Sequence, residues 1–169
     1  MPCSFNTFVT MKDKLSFYKK YKQKLEENGV GWKPVNVYNL ELLQKIELIA
    51  ETLELLKETI GEESPFISKE NLDTYLADTF IVTAKLCSCM DCELYIIYME
   101  NASVVRYYMK QLETYVNGMD FFQEDQLVQT IDKYHLDVLR DEVRSFKSSF
   151  IEWTKHFIKD DYEDEWNLY

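Results

Sequence analysis

Three closely spaced cysteines are the residues of this chain with the most obvious capacity for chemistry. Cys87, Cys89 and Cys92 lie together in KLCSCMDCELY, and Cys3 lies far from them in the sequence. Structural zinc needs four converging ligands, and on an unbroken helix Cys87 would point about 160° away from Cys89. Core packing of small apolar side chains is therefore the favoured interpretation. A thiolate metal or redox sensor is the alternative, with Cys3 as a fourth ligand if the helix breaks here.

Carboxylates form a second candidate site. Four of them are spaced four, three and four residues apart, on one stripe of a helix: Glu47, Glu51, Glu54 and Glu58. Glu51-x-x-Glu54 is followed by Glu70-x-x-Asp73, and carboxylates from two helices can bind Mg²⁺ or Mn²⁺. This arrangement loosely resembles the ExxE…ExxD pattern of the all-α nucleoside-triphosphate pyrophosphatases. The resemblance implies that the two pairs bind magnesium ions that activate water on a nucleotide phosphate. A solvated acidic face, paired with lysines of the first helix, is the favoured interpretation.

Other catalytic signatures are missing from the sequence. Two histidines are too few for a three-histidine metal site, and neither forms the Glu-x-x-His pair of a di-iron bundle. There is no GxSxG elbow, glycine-rich phosphate loop or HExxH motif. We therefore expect no catalytic residues and no cofactor, with His135 in the core and His156 on the surface.

Glycine and proline divide the chain into four segments. The chain has only four glycines and three prolines. Because they cost about 1 and 3 kcal/mol inside helices, we expect breaks at 29–34, 61–65 and Gly118. The segments between these breaks are 4–28, 40–60, 68–117 and 121–159. Their apolar residues recur every three or four positions, so the sequence predicts an all-α fold, a helical bundle of four or five helices. Asn39 and Ser68 are the expected N-caps of the second and third segments.

The third segment is predicted to be the centre of the bundle. As one helix it would be about 75 Å long, so we expect a long central helix with a kink or break near 88–92 or at 101–103. Between these points lies LYIIYM, residues 94–99, which is apolar on every face. A helix of this kind is buried all round, so the other helices are expected to enclose residues 94–99.

The second segment carries two kinds of apolar residue. Its core face is expected to contain Leu42, Ile46, Ile49, Leu53, Leu56 and Ile60. Leu48 and Leu55 lie outside this face, roughly 120–140° round the helix from its centre. Such extra apolar surface indicates a second packing partner, either the C-terminal residues or a second copy of the chain. Two singly exposed leucines are an equally good interpretation.

Charge argues against several classes of partner. The net charge of −11 is unfavourable for binding phosphate backbones or anionic lipid. Residues 1–38 hold seven lysines and three acids, and these lysines are expected to dock onto the acidic remainder. No apolar run approaches the ~18 residues of a membrane span. The first residues lack the pattern of a secretory signal, so we expect a cytoplasmic protein with reduced thiols.

The last ten residues, DDYEDEWNLY, differ in composition from the rest. This stretch contains five acids. Its aromatic and aliphatic residues are Tyr162, Trp166, Leu168 and Tyr169. This pattern favours either a segment that folds back over apolar surface or a docking peptide for a partner. Fold-back is the favoured interpretation. We therefore predict a single domain over 1–159 and an acidic-aromatic tail over 160–169.

These patterns together favour a non-enzymatic protein-interaction or scaffold module. Its expected partner is another protein or a second copy of the chain, as a homodimer, and neither nucleic acid nor a membrane. The first alternative is a magnesium- or manganese-dependent pyrophosphatase that uses the two carboxylate pairs. The second alternative is the thiolate sensor.

Overall fold

Five α-helices make up the fold in the computed structural model, which describes residues 16–27, 33–60, 68–90, 92–123 and 133–161. In chain order they are α1 (Phe17–Glu27), α2 (Pro34–Thr59), α3 (Lys69–Met90), α4 (Tyr95–Gln123) and α5 (Lys133–Thr154). The helices pack against one another, and the described residues contain no β-strand. The predicted all-α helical bundle is confirmed.

The centre of the bundle is α2. It packs against α1, α3 and α5, whereas α4 packs against α3 and α5. The core face predicted for the second segment is buried throughout, with no side chain more than 4% exposed: Leu42, Ile46, Ile49, Leu53, Leu56 and Ile60. Burying an apolar side chain of this size stabilises a fold by about 1.5–3 kcal/mol. Because α1, α3 and α5 all pack against α2, this helix takes part in most of the helix packing among the described residues.

The predicted hub at residues 94–99 is wrong. The third segment forms two helices, since α3 ends at Met90 and α4 begins at Tyr95, and Tyr75 of α3 stacks on Tyr115 of α4 with ring centroids 4.3 Å apart. Within 94–99 only Tyr98 is buried, and Leu94 is 44% exposed. The physical reason is that α4 is an outer helix with neighbours on two sides only. No helix in the described ranges is both long and apolar enough to cross a bilayer.

Helix ends follow local chemistry with two exceptions. Ser68 caps α3 as predicted, because its Oγ accepts a hydrogen bond from the Asn71 amide at 3.1 Å. Asn39 is not a cap. The second helix begins five residues earlier at Pro34, a residue favoured in the first turn because it has no amide hydrogen to satisfy. Gly118 does not end α4, since the helix continues to Gln123.

Asn39 instead ties α2 to α3 inside the core. Its side chain is fully buried and its Nδ2 donates a 3.0 Å hydrogen bond to the carbonyl oxygen of Leu86. A buried amide costs free energy unless it is paired, so this bond favours one register of α2 against α3.

A carboxylate of the predicted acidic stripe fastens α1 to α2. Glu47 accepts hydrogen bonds from Ser16 Oγ at 2.7 Å and from the Tyr18 amide at 3.0 Å. Ser16 in turn caps α1 by accepting a bond from the Lys19 amide. A negative charge at a helix N-terminus also interacts favourably with the helix dipole. Glu47 therefore has a structural role at this contact.

Two leucines of α2 provide a direct test of its central position. Leu53 is fully buried, and Leu55, two residues away, is 46% exposed. We expect Leu53→Ala to lower the free energy of unfolding by about 2–5 kcal/mol, because it leaves a cavity in the core. The matched control Leu55→Ala should change it by less than about 0.5 kcal/mol. Urea denaturation followed by circular dichroism measures both, and equal losses would contradict this packing.

Candidate functional site

A cleft of about 430 Å³ lies at one end of the bundle, where four parts of the chain converge. These are the last turns of α1, the start of α2, the turn between α3 and α4, and the residues that follow α5. Its apolar lining includes Tyr21, Leu25, Val35 and Ile158, and Cys92 lies at the turn. The volume falls in the range of small-ligand and side-chain pockets. Ile158 is 83% exposed at this cleft.

An aromatic cluster lies next to the cleft, and one of its members, Tyr98, lines it. Tyr98 stacks on Phe157 with ring centroids 4.9 Å apart, and Trp153 meets Phe157 edge-on at 4.7 Å. The Tyr98 hydroxyl donates a 2.6 Å hydrogen bond to the carbonyl oxygen of Cys92. Burial raises the pKa of Tyr98 to about 12, so the hydroxyl keeps its proton and remains a donor. These contacts fix the α3–α4 turn against the end of α5.

Charged side chains also connect the elements at the cleft end of the bundle. Asp160 accepts a 2.9 Å hydrogen bond from the Tyr95 amide, at the N-terminus of α4. Lys33 forms an ion pair with Glu93, which joins the start of α2 to the α3–α4 turn. Both partners of this pair are largely exposed, so it contributes little stability. Lys24 of α1 also lines the cleft. Both acids of the lining therefore interact with positive partners: Asp160 with the N-terminus of α4, and Glu93 with Lys33. The cleft also adjoins the basic helix α1.

The two histidines occupy different environments from those predicted. His156, expected on the surface, is half-buried and lines the cleft. Its ring stacks on Tyr38 at a centroid distance of 5.0 Å. His135, expected in the core, is also half-buried, at the first turns of α5. The helical pattern alone could not place His156, because it follows the end of α5 in a turn.

The two carboxylate pairs lie on neighbouring helices but do not assemble. Glu51 and Glu70 are exposed, Glu54 is half-buried, and Asp73 forms an ion pair with Lys57 of α2. Glu70 lies in the first turn of α3, where the helix dipole favours an acid. Within the described ranges no three acidic, histidine or cysteine side chains form a group that could hold a metal ion.

The three cysteines do not share one helix: Cys87 and Cys89 lie on α3, and Cys92 lies in the turn that follows it. Cys89 is fully buried in the core, whereas Cys87 and Cys92 are half-buried, and all three are free thiols. Burial raises the pKa of the Cys89 thiol to about 12, with a hydrogen bond to Asn101 as a smaller, opposing effect. Such a thiol behaves as a small apolar side chain. Cys3 lies outside the described residues.

The predicted partner-binding residues of the tail also lie outside the described residues: Tyr162, Trp166, Leu168 and Tyr169. The body of the bundle extends to at least Asp160, through its contact with α4. The division of the chain into a domain and a tail stays a prediction.

A half-buried carboxyl group between α5 and α2 is a site that the sequence did not indicate. Burial raises the pKa of Glu142, a hydrogen bond from Thr52 opposes this shift, and the negative charge of Glu51 adds to it. The Oε2 atom of Glu142 is buried with no hydrogen-bond partner among the described residues. Only the packing of α5 on α2 brings these groups together.

No protein-family model, curated protein or solved structure matches the chain. The geometry of the cleft and of the exposed apolar surface therefore carries the functional inference.

The buried thiol gives the first prediction for this site. Because only the thiolate is nucleophilic, we expect Cys89 to react with iodoacetamide at least about 100-fold more slowly than Cys87 and Cys92 at pH 8. Peptide mapping by mass spectrometry measures each rate, and in denaturant the three rates should converge. Equal rates in the folded chain, or a rise in melting temperature with Zn²⁺ that Cys89→Ser abolishes, would support the thiolate sensor instead.

The carboxyl group of Glu142 gives a second prediction, which concerns the pH dependence of stability. Since its pKa is raised in the folded chain, folding is less favourable when the group is ionised, above the ordinary pKa of glutamate. We expect Glu142→Gln to raise the melting temperature at pH 7, and by less at pH 4, where the unmodified side chain takes up a proton. Glu58→Gln, at an exposed position of α2, is the control. A variant that destabilises at pH 7 would show that the ionised form is required.

Proposed function

We propose that the protein is a non-enzymatic interaction module that self-associates as a homodimer through an exposed face of α2. The observation that carries this proposal is an apolar stripe on the helix that is otherwise the centre of the core. Val37, Leu48 and Leu55 are 40%, 43% and 46% exposed. At about 100° per residue they fall within about 20° of one line along the helix. We call these three residues the α2 stripe.

The length and surroundings of the α2 stripe suit a second helix. From Val37 to Leu55 it extends about 27 Å at 1.5 Å per residue. The seven-residue spacing of Leu48 and Leu55 is the repeat with which helices pack side by side. On the wheel, α1 lies to one side of the stripe, through Glu47, and α5 to the other, through the Lys45–Ser145 contact. The stripe thus lies between the contacts that α2 makes with α1 and with α5.

Charge supports a second copy of this chain as the occupant. Helix α1 packs beside the first half of α2 and carries Lys19, Lys20, Lys22 and Lys24. The second half of α2 carries Glu51, Glu54 and Glu58 on the same side of the wheel. In the proposed dimer the two α2 helices are antiparallel and a two-fold axis perpendicular to both relates them. The side of α2 that carries these residues then lies on the same side of the dimer in both copies. Each basic α1 then meets the acidic half of the partner's α2.

The compartment proposed for this module is the cytoplasm. The three described cysteines are free thiols, as expected where glutathione keeps thiols reduced. No metal or nucleotide is required for the proposed role.

Changing the α2 stripe tests the proposed function. We expect the unmodified chain to have twice its 20.2 kDa mass in solution and the double variant Leu48→Glu/Leu55→Glu to be a monomer with unchanged helicity. Both residues are exposed, so the substitutions should not disturb the core. Size-exclusion chromatography with light scattering measures the mass. Higher salt should weaken the dimer, because screening reduces the attraction between α1 and α2.

Tyr107→Glu is the matched control, because Tyr107 is 58% exposed on α4, which does not pack against α2. This variant should remain a dimer. A monomeric unmodified chain, or a dimer that tolerates both leucine substitutions, would contradict the proposal. If Mn²⁺ raised the melting temperature and Glu51→Gln abolished the effect, the pyrophosphatase alternative would be favoured.

A further inference from the structure

We propose that the cleft at the end of the bundle is the docking site of this chain's own residues 162–169. Below, these eight residues are called the tail segment. None of the three residues of the α2 stripe lines the cleft, although both proposals use the lysines of α1.

Position is the first argument. The described part of the chain ends at Asp161, and both Ile158 and Asp160 line the cleft. Asp160 is held in place by its hydrogen bond to the Tyr95 amide. The tail segment therefore starts at the rim of the cleft. Eight residues span up to about 26 Å when extended, which is more than enough to cross a cleft of this volume.

Apolar surface is the second argument. Ile158 is 83% exposed although it lines the same cleft as Tyr21, Leu25 and Val35. Covering such a concave apolar surface with another apolar group lowers the free energy of the folded chain. The tail segment carries the matching side chains: Tyr162, Trp166, Leu168 and Tyr169. Trp166 and Leu168 are far enough from Asp161 to reach across the cleft while Tyr162 remains near its rim.

Charge is the third argument. The tail segment contains three acids in a row, Glu163, Asp164 and Glu165. Lys24 lines the cleft, and α1 as a whole carries four lysines against two glutamates, whereas Lys33 is paired with Glu93. The two acids of the lining, Glu93 and Asp160, are engaged with Lys33 and with the N-terminus of α4. An acidic, aromatic segment thus complements both the apolar and the basic parts of this end.

A peptide-binding experiment with the 169-residue chain tests the docking. The probe is a fluorescein-labelled peptide with the sequence of residues 162–169, acetylated and amidated so that its ends carry no charge. The receptor is the variant Trp166→Ala/Leu168→Ala, whose own tail segment docks poorly. We expect the peptide to bind this variant at least 10-fold more tightly than the unmodified chain, by fluorescence anisotropy. Adding Lys24→Glu to the variant should weaken binding at least 5-fold, and Lys110→Glu, on an exposed turn of α4, should not.

Thiol labelling gives a second readout in the same chains. Cys92 lines the cleft and Cys87 does not. The tail variant should therefore increase the alkylation rate of Cys92 several-fold relative to Cys87, a ratio that also corrects for any general loosening of the fold.

Three results would overturn the inference. Equal binding of the peptide to the tail variant and the unmodified chain would mean that the cleft is open to partners in trans. Binding to neither would mean that the tail segment has no affinity for it. A loss of dimer mass in the tail variant would identify the occupant as the tail segment of a second copy. The leucine variants of the α2 stripe should leave peptide binding unchanged, so the two proposals can fail separately.

Discussion

The burial of α2 from three sides is the constraint on which the rest of the structure depends. Its apolar side chains occupy about half of the helix circumference, and α1, α3 and α5 all pack against it. Polar contacts then select one arrangement of these neighbours: Glu47 for α1, Asn39 for α3, and Glu41 for α5 through Ser149. The apolar contacts supply most of the stability, and the hydrogen bonds determine register.

The same constraint leaves two surfaces available for binding. On the remaining side of α2 none of the described helices covers Leu48 and Leu55, which creates the α2 stripe. At the end of the bundle α4 must reverse direction from α3, and this turn is held by Tyr98 and Asp160 rather than by glycine or proline. The cleft results because α1 and the residues after α5 approach this turn without filling the space between them.

Much of the core could be predicted from the sequence, because a periodic apolar face depends only on helix geometry. The core face of α2 and the buried residues Leu72, Leu76 and Leu86 of α3 follow directly from spacing. The exposure of Leu94 could not be predicted from spacing, because burial depends on how many helices surround a residue. Asn39 was misjudged because its partner is the backbone of Leu86, 47 residues away.

The candidate sites were harder to predict for the same physical reason. The cleft joins residues from four parts of the chain, and the environment of Glu142 is created by the packing of α5 on α2. No local motif encodes either of them. Leu48 and Leu55 were recognisable, because their departure from the core face is visible on a helical wheel. The two carboxylate pairs consist of residue types that are common on any acidic helix, so their spacing alone does not specify a metal site.

Native-state hydrogen exchange tests the central position of α2 most directly. If α2 is the hub, the amides of residues 42–56 should exchange only when the whole chain unfolds, with opening free energies equal to the global free energy of unfolding. The amides of α1 and of the first turns of α4 should exchange through smaller, local openings. Slowest exchange in residues 95–99, with α2 opening first, would contradict the account.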